Sequence, residues 1–168
     1  YAARYDKQHL LPLAETRGHT YYTAGTGPLI LPARMARLGP LLCFEAMFPR
    51  LARQAVAAGA GVLVNLTNDS WFGADAASRQ HLEMARVRAI ETRRPLVRAA
   101  ATGYSTIVDA YGRVLVFTDA DQPATAMARI TPGQGSTLYG WWGDLPVIGA
   151  LAGLVAADAL RGRRSSRA

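Results

Sequence analysis

Apolar and polar residues alternate in blocks along the first hundred residues, and the block lengths predict alternating strands and helices. The apolar run at residues 41–44 predicts a buried strand with Cys43 near its end. Pro49 suits the first turn of a helix that Gly59 terminates, and residues 62–66 predict a second buried strand. This order is typical of an α/β layered fold, in which the loops at strand ends hold the chemistry.

The pattern changes after the second strand. Residues 76–94, rich in Ala, Leu, Met, Arg and Glu, predict the longest helix, and Pro95 ends it. Alternating apolar residues then predict four further strands, at residues 96–100, 105–108, 113–117 and 125–130. The sequence therefore predicts an α/β fold whose second half is a hairpin-rich sheet.

The C-terminal segment is more apolar. Residues 145–157 carry no charge, with two tryptophans before them and an arginine-rich tail after them. Interfacial aromatics and terminal arginines are typical of a membrane-spanning helix, which needs about 20 residues. We predict a folded unit over residues 1–135, a transmembrane helix over 136–160 and a basic cytoplasmic tail over 161–168. A buried or amphipathic helix is the alternative.

Composition excludes several classes of protein. The net charge of +7 comes largely from Arg161, Arg163, Arg164 and Arg167, and the mean hydropathy of +0.04 is high for a small soluble domain. No zinc-finger spacing or basic–aromatic alternation points to nucleic acid as a partner. The single cysteine, Cys43, excludes an internal disulfide, and we predict neither a metal nor a cofactor.

Cys43 and Lys7 are the residues most suited to covalent chemistry. A helix N-terminus after Cys43 favours a thiolate, although a lone cysteine is also a common buried apolar residue. Lys7 is the only lysine in the chain, and its compact ammonium can stabilise a thiolate or an oxyanion. A surface lysine is the alternative. Glu15 and Glu45 are the nearest carboxylates in sequence, and either can orient Lys7 or solvate a surface.

A cysteine–histidine arrangement is a rival hypothesis. His9, His19 and His81 are the candidates, but none lies in a local pattern that marks a general base.

Four ordered motifs together resemble one family. They are YDKQHLLP at residues 5–12, CFE at 43–45 followed by Phe48-Pro49, NDSWFG at 68–73 and HLEMAR at 81–86. In this order and spacing they resemble the apolipoprotein N-acyltransferases, which are bacterial membrane enzymes with a nitrilase-like domain. The resemblance runs from about Tyr5 to the arginine tail, so the chain is expected to be a C-terminal fragment of such a protein.

The resemblance implies a partial nitrilase-like α-β-β-α sandwich and a Glu-Lys-Cys triad. Cys43 and Lys7 match two members, and the glutamate base is expected before Tyr1. Glu15, Glu45 and Phe44 are implied as supporting residues, and Trp71 as a substrate-binding residue. The family transfers a fatty acyl group from a phospholipid, through a cysteine thioester, to the amine of diacylglyceryl-cysteine apolipoproteins. It does so at the bacterial inner membrane, with the catalytic domain in the periplasm.

Two departures from the family pattern concern the surroundings of these groups. Phe44 stands where the family commonly has Tyr, and Ala14-Glu15-Thr16 replaces a more usual Gly-Glu-Tyr. A soluble carbon–nitrogen hydrolase acting as an amidase, and an inactive membrane-tethered fragment, are the alternative functions.

Overall fold

The computed structural model describes residues 4–11, 15, 22–27, 30–72, 75–120 and 122–165, with side chains up to residue 160. The strands in this part of the chain are β1 (Leu31–Pro32), β2 (Arg37–Leu42), β3 (Val62–Thr67), β4 (Leu96–Ala100), β5 (Thr106–Val108) and β6 (Val114–Phe117). The helices are α1 (Pro49–Ala57), α2 (Asp75–Thr92), α3 (Leu138–Trp142) and α4 (Leu145–Ser165). Two 3-10 turns, Cys43–Met47 and Ser70–Phe72, follow β2 and β3.

The six strands form one mixed sheet in the order β1-β2-β3-β4-β5-β6. The three central strands, β2, β3 and β4, are parallel, because α1 and α2 return the chain to the same edge of the sheet. The remaining pairs are antiparallel. The loops that follow Leu42, Thr67 and Ala100 therefore meet at one edge of the sheet.

The two crossover helices pack against each other and against one face of the sheet. Leu41, Leu63 and Leu96 supply the buried strand residues beneath them, each at most 1 % exposed. Gly39 lies where a Cβ atom would come within 2.8 Å of the Ala60 Cβ and 3.0 Å of the Ala55 Cβ. Small residues thus bring α1 close to β2, which fixes the strand end that carries Cys43.

Most of the predicted elements are confirmed. The helix that begins at Pro49, the long helix ending before Pro95 and the strand at residues 96–100 lie where the sequence placed them. The strand predicted at residues 125–130 is wrong, because this segment adopts no regular secondary structure. Met127 is 85 % exposed, so the apolar alternation there packs on no core.

The C-terminal helices α3 and α4 follow a hydrogen-bonded contact between α3 and α1. Arg53 donates hydrogen bonds to the carbonyl oxygens of Gly140, at 3.1 Å, and Trp141, at 3.0 Å. Gly143, with a φ of 56°, then separates α3 from α4. Because the chain turns at this glycine, α4 starts in a new direction.

No helix in the described ranges is both long and apolar enough to cross a membrane. The transmembrane helix predicted over residues 136–160 is therefore not supported.

Candidate active site

Cys43 lies at a sharp turn between β2 and the 3-10 turn. Its φ of 51° falls in the left-handed region, which residues with a Cβ atom rarely adopt. Such a conformation costs about 1–3 kcal/mol and persists only where the surrounding structure holds it. The side chain is half-buried and its thiol is free. The backbone at this position is therefore held in place by its neighbours.

Glu45 connects the Cys43 turn to the segment that contains Lys7. Its carboxylate is fully buried and accepts hydrogen bonds from the backbone N–H groups of Gln8 (2.5 Å), His9 (3.0 Å) and Leu42 (2.7 Å). The Tyr5 hydroxyl donates a fourth, at 2.8 Å. One buried side chain thus fixes the residues on both sides of Lys7 against the residue before Cys43.

The Lys7 ammonium is held by a second carboxylate. Its Nζ lies 2.7 Å from both oxygens of Glu15, which also accepts from the Leu11 N–H at 2.6 Å. Burial alone raises the pKa of Glu15, but the hydrogen bonds from Lys7 and Leu11 and the Lys7 charge outweigh it and lower the pKa. The Lys7 side chain is only 14 % exposed, so its charge is fixed in position.

The phenol of Tyr5 contributes to the same cluster. Burial raises its pKa well above the ordinary value, and the hydrogen bond to Glu45 and the charge of Glu45 raise it further. Tyr5 is therefore a neutral hydrogen-bond donor to Glu45 at physiological pH.

Aromatic rings surround the Cys43 turn. Phe44 packs edge-on against Phe48, with ring centroids 5.0 Å apart, and the His9 ring lies 4.0 Å from that of Phe48. Phe44 therefore takes part in apolar packing, which a phenylalanine satisfies without a phenol hydroxyl. Trp71 is 71 % exposed on the 3-10 turn after β3, and the adjacent Phe72 packs edge-on against His81.

A ring of buried polar side chains lies behind Cys43. The Arg98 guanidinium donates to the Asn65 side-chain oxygen and, at 2.6 Å, to Asp69 Oδ2. Asp69 Oδ1 lies 2.9 Å from His81 Nδ1. His81 Nε2, at 3.2 Å, and Asn65 Nδ2, at 3.4 Å, both contact the carbonyl oxygen of Cys43. The four side chains thus form a closed ring with that carbonyl.

The charges in this ring stabilise one another. Burial alone raises the pKa of Asp69, but the hydrogen bond from His81 and the charge of Arg98 lower it to about 2. Burial lowers the pKa of Arg98, and the charges of Asp69 and Cys43 oppose that change. Asp69 and Arg98 therefore form an ionised pair, each at most 1 % exposed in its side chain.

The structure brings the predicted site residues together unequally. Lys7 contacts Glu15 directly, and Glu45 contacts both the Lys7 segment and the residue before Cys43. Trp71, in contrast, lies at the surface. His9 lies in the aromatic cluster, His81 contacts the Cys43 backbone carbonyl, and His19 lies outside the described residues.

Sequence reasoning missed Asn65, Asp69 and Arg98 as site residues. Asn65 and Arg98 lie within strands that are otherwise apolar, at 0 % and 2 % exposure. A buried polar or charged side chain requires a partner. A polar residue inside an apolar strand was therefore the signal that could have identified Asn65 and Arg98.

Residues 1–138 match the carbon–nitrogen hydrolase family, and the chain belongs to that family. Among curated relatives it is similar to the apolipoprotein N-acyltransferase of Geobacter metallireducens, at 37 % identity over 97 % of this chain and 34 % of that protein. It is also similar to the one from Bradyrhizobium diazoefficiens, at 38 % identity over 92 % of this chain and 32 % of that protein. The chain thus spans about a third of the length of these relatives.

Solved structures support the same fold. A carbon–nitrogen hydrolase from Helicobacter pylori superposes with a TM-score of 0.61 at 22 % identity, covering 70 % of this chain and 48 % of that one. An amidase variant from Nesterenkonia sp. AN1, with an acetamide group attached at its active-site cysteine, gives 0.56 at 23 % identity, covering 69 % and 45 %. The prediction of a nitrilase-like α/β fold is confirmed.

Proposed function

We propose that this chain carries the nucleophile and the lysine of an apolipoprotein N-acyltransferase. The acyl donor is a phospholipid, the carrier is a thioester on Cys43, and the acceptor is the amine of a diacylglyceryl-cysteine apolipoprotein. The observation that carries this proposal is the Glu45 carboxylate, which joins the Lys7 segment to the Cys43 turn. The identity with acyltransferases over nearly the whole chain selects this chemistry within the family.

The first half-reaction forms the thioester. The Cys43 sulfur attacks the ester carbonyl of the phospholipid, and the lysophospholipid leaves as an alcohol after taking up a proton. A free thiol has a pKa of about 8.5, so the attack needs a base and a nearby cation. Lys7 supplies the cation. The base is a glutamate that the family resemblance assigns to a segment before Tyr1.

The tetrahedral intermediates carry a negative oxygen that needs aimed donors. We assign this role to the Lys7 ammonium and the Phe44 backbone N–H. In the second half-reaction the acceptor amine attacks the thioester carbonyl, loses a proton, and releases Cys43 as the leaving group. Glu15 keeps the ammonium in place during both steps, because it holds Lys7 Nζ with both oxygens.

The exposed apolar surface supports work at a membrane. Val147, Leu151 and Leu154 on α4 are 63 %, 58 % and 68 % exposed, and Trp141 on α3 is 64 % exposed. An exposed apolar helix surface is stabilised when lipid or protein covers it. We propose that lipid covers α4 at the bacterial inner membrane, and that the exposed Trp71 contacts the lipid substrate on the periplasmic side.

A covering layer on the second face of the sheet completes the proposed sandwich. Leu66 belongs to β3, one of the central parallel strands, yet it is 48 % exposed. Parallel sheets are normally covered on both faces. The nitrilase-like α-β-β-α arrangement supplies this cover with a second sheet, whose residues we assign to the remaining length of the full protein.

The alternative reaction is amide hydrolysis by the same cysteine. The amidase from Nesterenkonia shares the fold at 23 % identity, and water then replaces the amine as acceptor. The two reactions differ in the surface required, because a water-soluble amide needs neither α4 nor Trp71.

The test compares both reactions in the full-length protein. Purified enzyme in detergent is incubated with phosphatidylethanolamine and a diacylglyceryl-cysteine peptide, and separately with small aliphatic amides. We expect acylation of the peptide amine, loss of that activity in Cys43→Ser, and a severe loss in Lys7→Met. Amide hydrolysis without peptide acylation would establish the amidase instead.

A further inference from the structure

The carbonyl oxygen of Cys43 accepts hydrogen bonds from two buried side chains that one arginine connects. We propose that Asn65, Asp69, His81 and Arg98 form a carbonyl clamp that fixes the left-handed backbone of Cys43 and thereby aims its thiol. They act as positioning residues, because their described hydrogen bonds with Cys43 are to its backbone oxygen, and of the four only Arg98 also interacts with the charge of Cys43. This inference rests on the proposed role of Cys43 as the nucleophile.

The first arm of the clamp is the amide of Asn65. Arg98 donates to the Asn65 oxygen, which turns Nδ2 towards the carbonyl oxygens of Leu41 and Cys43. Arg98 carries donors only, so the opposite orientation of the amide would place donor against donor. The guanidinium therefore determines which end of Asn65 faces the Cys43 turn.

The second arm is the imidazole of His81. Asp69 Oδ1 and, at 3.3 Å, Arg98 Nη2 both contact Nδ1, so they hold the ring with Nε2 directed at the Cys43 carbonyl. Asp69 is itself held by Arg98 and, at 2.8 Å, by the Ser78 hydroxyl.

The clamp counters the cost of the Cys43 conformation. A φ of 51° is unfavourable for a residue with a Cβ atom, and two charge-supported hydrogen bonds to the carbonyl of that residue offset this cost. Since the donors are buried and attached to Arg98, they cannot turn to water when Cys43 relaxes. The clamp thus favours one backbone geometry and one direction for the thiol.

The test separates the two contacts of His81 with matched substitutions in the full-length protein. His81→Gln places an amide donor near the position of Nε2 and keeps the contact with the Cys43 carbonyl. His81→Asn places a donor near Nδ1 and keeps only the contact with Asp69. Thr92→Val is the control, because Thr92 is similarly buried on α2 and its hydroxyl donates within that helix, to the Arg88 carbonyl.

The main readout is the single-turnover rate of thioester formation on Cys43 with labelled phosphatidylethanolamine, alongside KM and Tm. A displacement of about 1 Å at a reacting group costs roughly a hundredfold in rate. We expect His81→Asn to lose tenfold to a hundredfold in rate, roughly in line with that cost, at unchanged KM. His81→Gln retains most of the rate, and Thr92→Val retains all of it even where Tm falls.

Equal losses in His81→Gln and His81→Asn, or losses that simply follow Tm, would overturn the clamp. Asn65→Ser removes the other arm of the clamp and provides a second test. We expect a smaller loss in the rate of thioester formation, at unchanged KM. An unchanged rate would count against the clamp. Alkylation of Cys43 by iodoacetamide, mapped by mass spectrometry, needs no acyl transfer. His81→Asn should slow alkylation more than His81→Gln, so failure of the clamp and failure of the proposed reaction are distinguishable.

Discussion

Replacing Glu45 by glutamine tests whether one carboxylate holds the Lys7 segment to the nucleophile. The wild-type carboxylate accepts from four donors and offers none in return. The glutamine oxygen can serve the N–H groups of Gln8 and His9, but its NH2 group must then face Leu42 N–H and the Tyr5 hydroxyl. The Tyr5 oxygen can accept instead, whereas the Leu42 N–H loses its partner.

The expected cost follows from these contacts. One buried unpaired donor costs about 1–3 kcal/mol, and replacing charge-assisted bonds by neutral ones costs about 1 kcal/mol more. We expect Glu45→Gln to lower the free energy of unfolding by about 2–4 kcal/mol. Tyr5→Phe, which removes only one of the four donors, should cost about 1 kcal/mol.

The assay combines urea denaturation with hydrogen exchange. The Leu42 amide should be protected in the wild type and exchange more rapidly in Glu45→Gln, because the glutamine side chain offers it no acceptor. Acyl transfer should fall by up to about a hundredfold, the effect of displacing a catalytic group, because the Lys7 segment is no longer tied to the residue before Cys43. Unchanged protection of the Leu42 amide together with near-normal activity would refute the reasoning.

Three further predictions concern other parts of the fold. Gly103→Ala should lower Tm and slow acyl transfer. The reason is that φ at this position is 90° and a Cβ atom would meet the Ser78 hydroxyl and the Asp69 carboxylate. An unchanged Tm would contradict this prediction. Asp69→Asn should remove about 2 kcal/mol at pH 7 and flatten the loss of stability between pH 4 and 2, measured by denaturation at each pH. The sign follows because the pKa of Asp69 is lowered to about 2, so its contribution is complete above pH 4 and lost as pH falls through 2. Gly39→Ala should cost about 1–3 kcal/mol in urea unfolding through its clash with Ala60, and an unshifted midpoint would show that α1 can move away.

The alternating strands and helices were predictable because each carries its own local signal. Pro49 marks a helix start and Pro95 a helix end, and both helices lie close to where expected, whereas the strand predicted at residues 41–44 ends at Leu42 and Cys43 begins a 3-10 turn. The error at residues 125–130 arose because a short apolar alternation forms a strand only when a neighbouring strand pairs with it.

The candidate site was predictable only in part. Motif resemblance put forward Cys43, Lys7 and Glu45 as candidates, but neither periodicity nor spacing reveals that Glu45 reaches back 37 residues to the Gln8 amide. The carbonyl clamp is still less visible, because it joins side chains from β3, β4 and α2. Contacts of this kind depend on how the sheet and helices pack, which a local pattern does not determine.

The most direct test of the central claim is to locate the acyl group in the full-length enzyme. The protein is incubated with phosphatidylethanolamine carrying a labelled acyl chain, without acceptor, then digested and mapped by mass spectrometry. The account predicts one labelled peptide, acylated at Cys43 through a thioester that hydroxylamine cleaves, and no label in Cys43→Ala. Label on any other residue, or persistent labelling of Cys43→Ala, would contradict it.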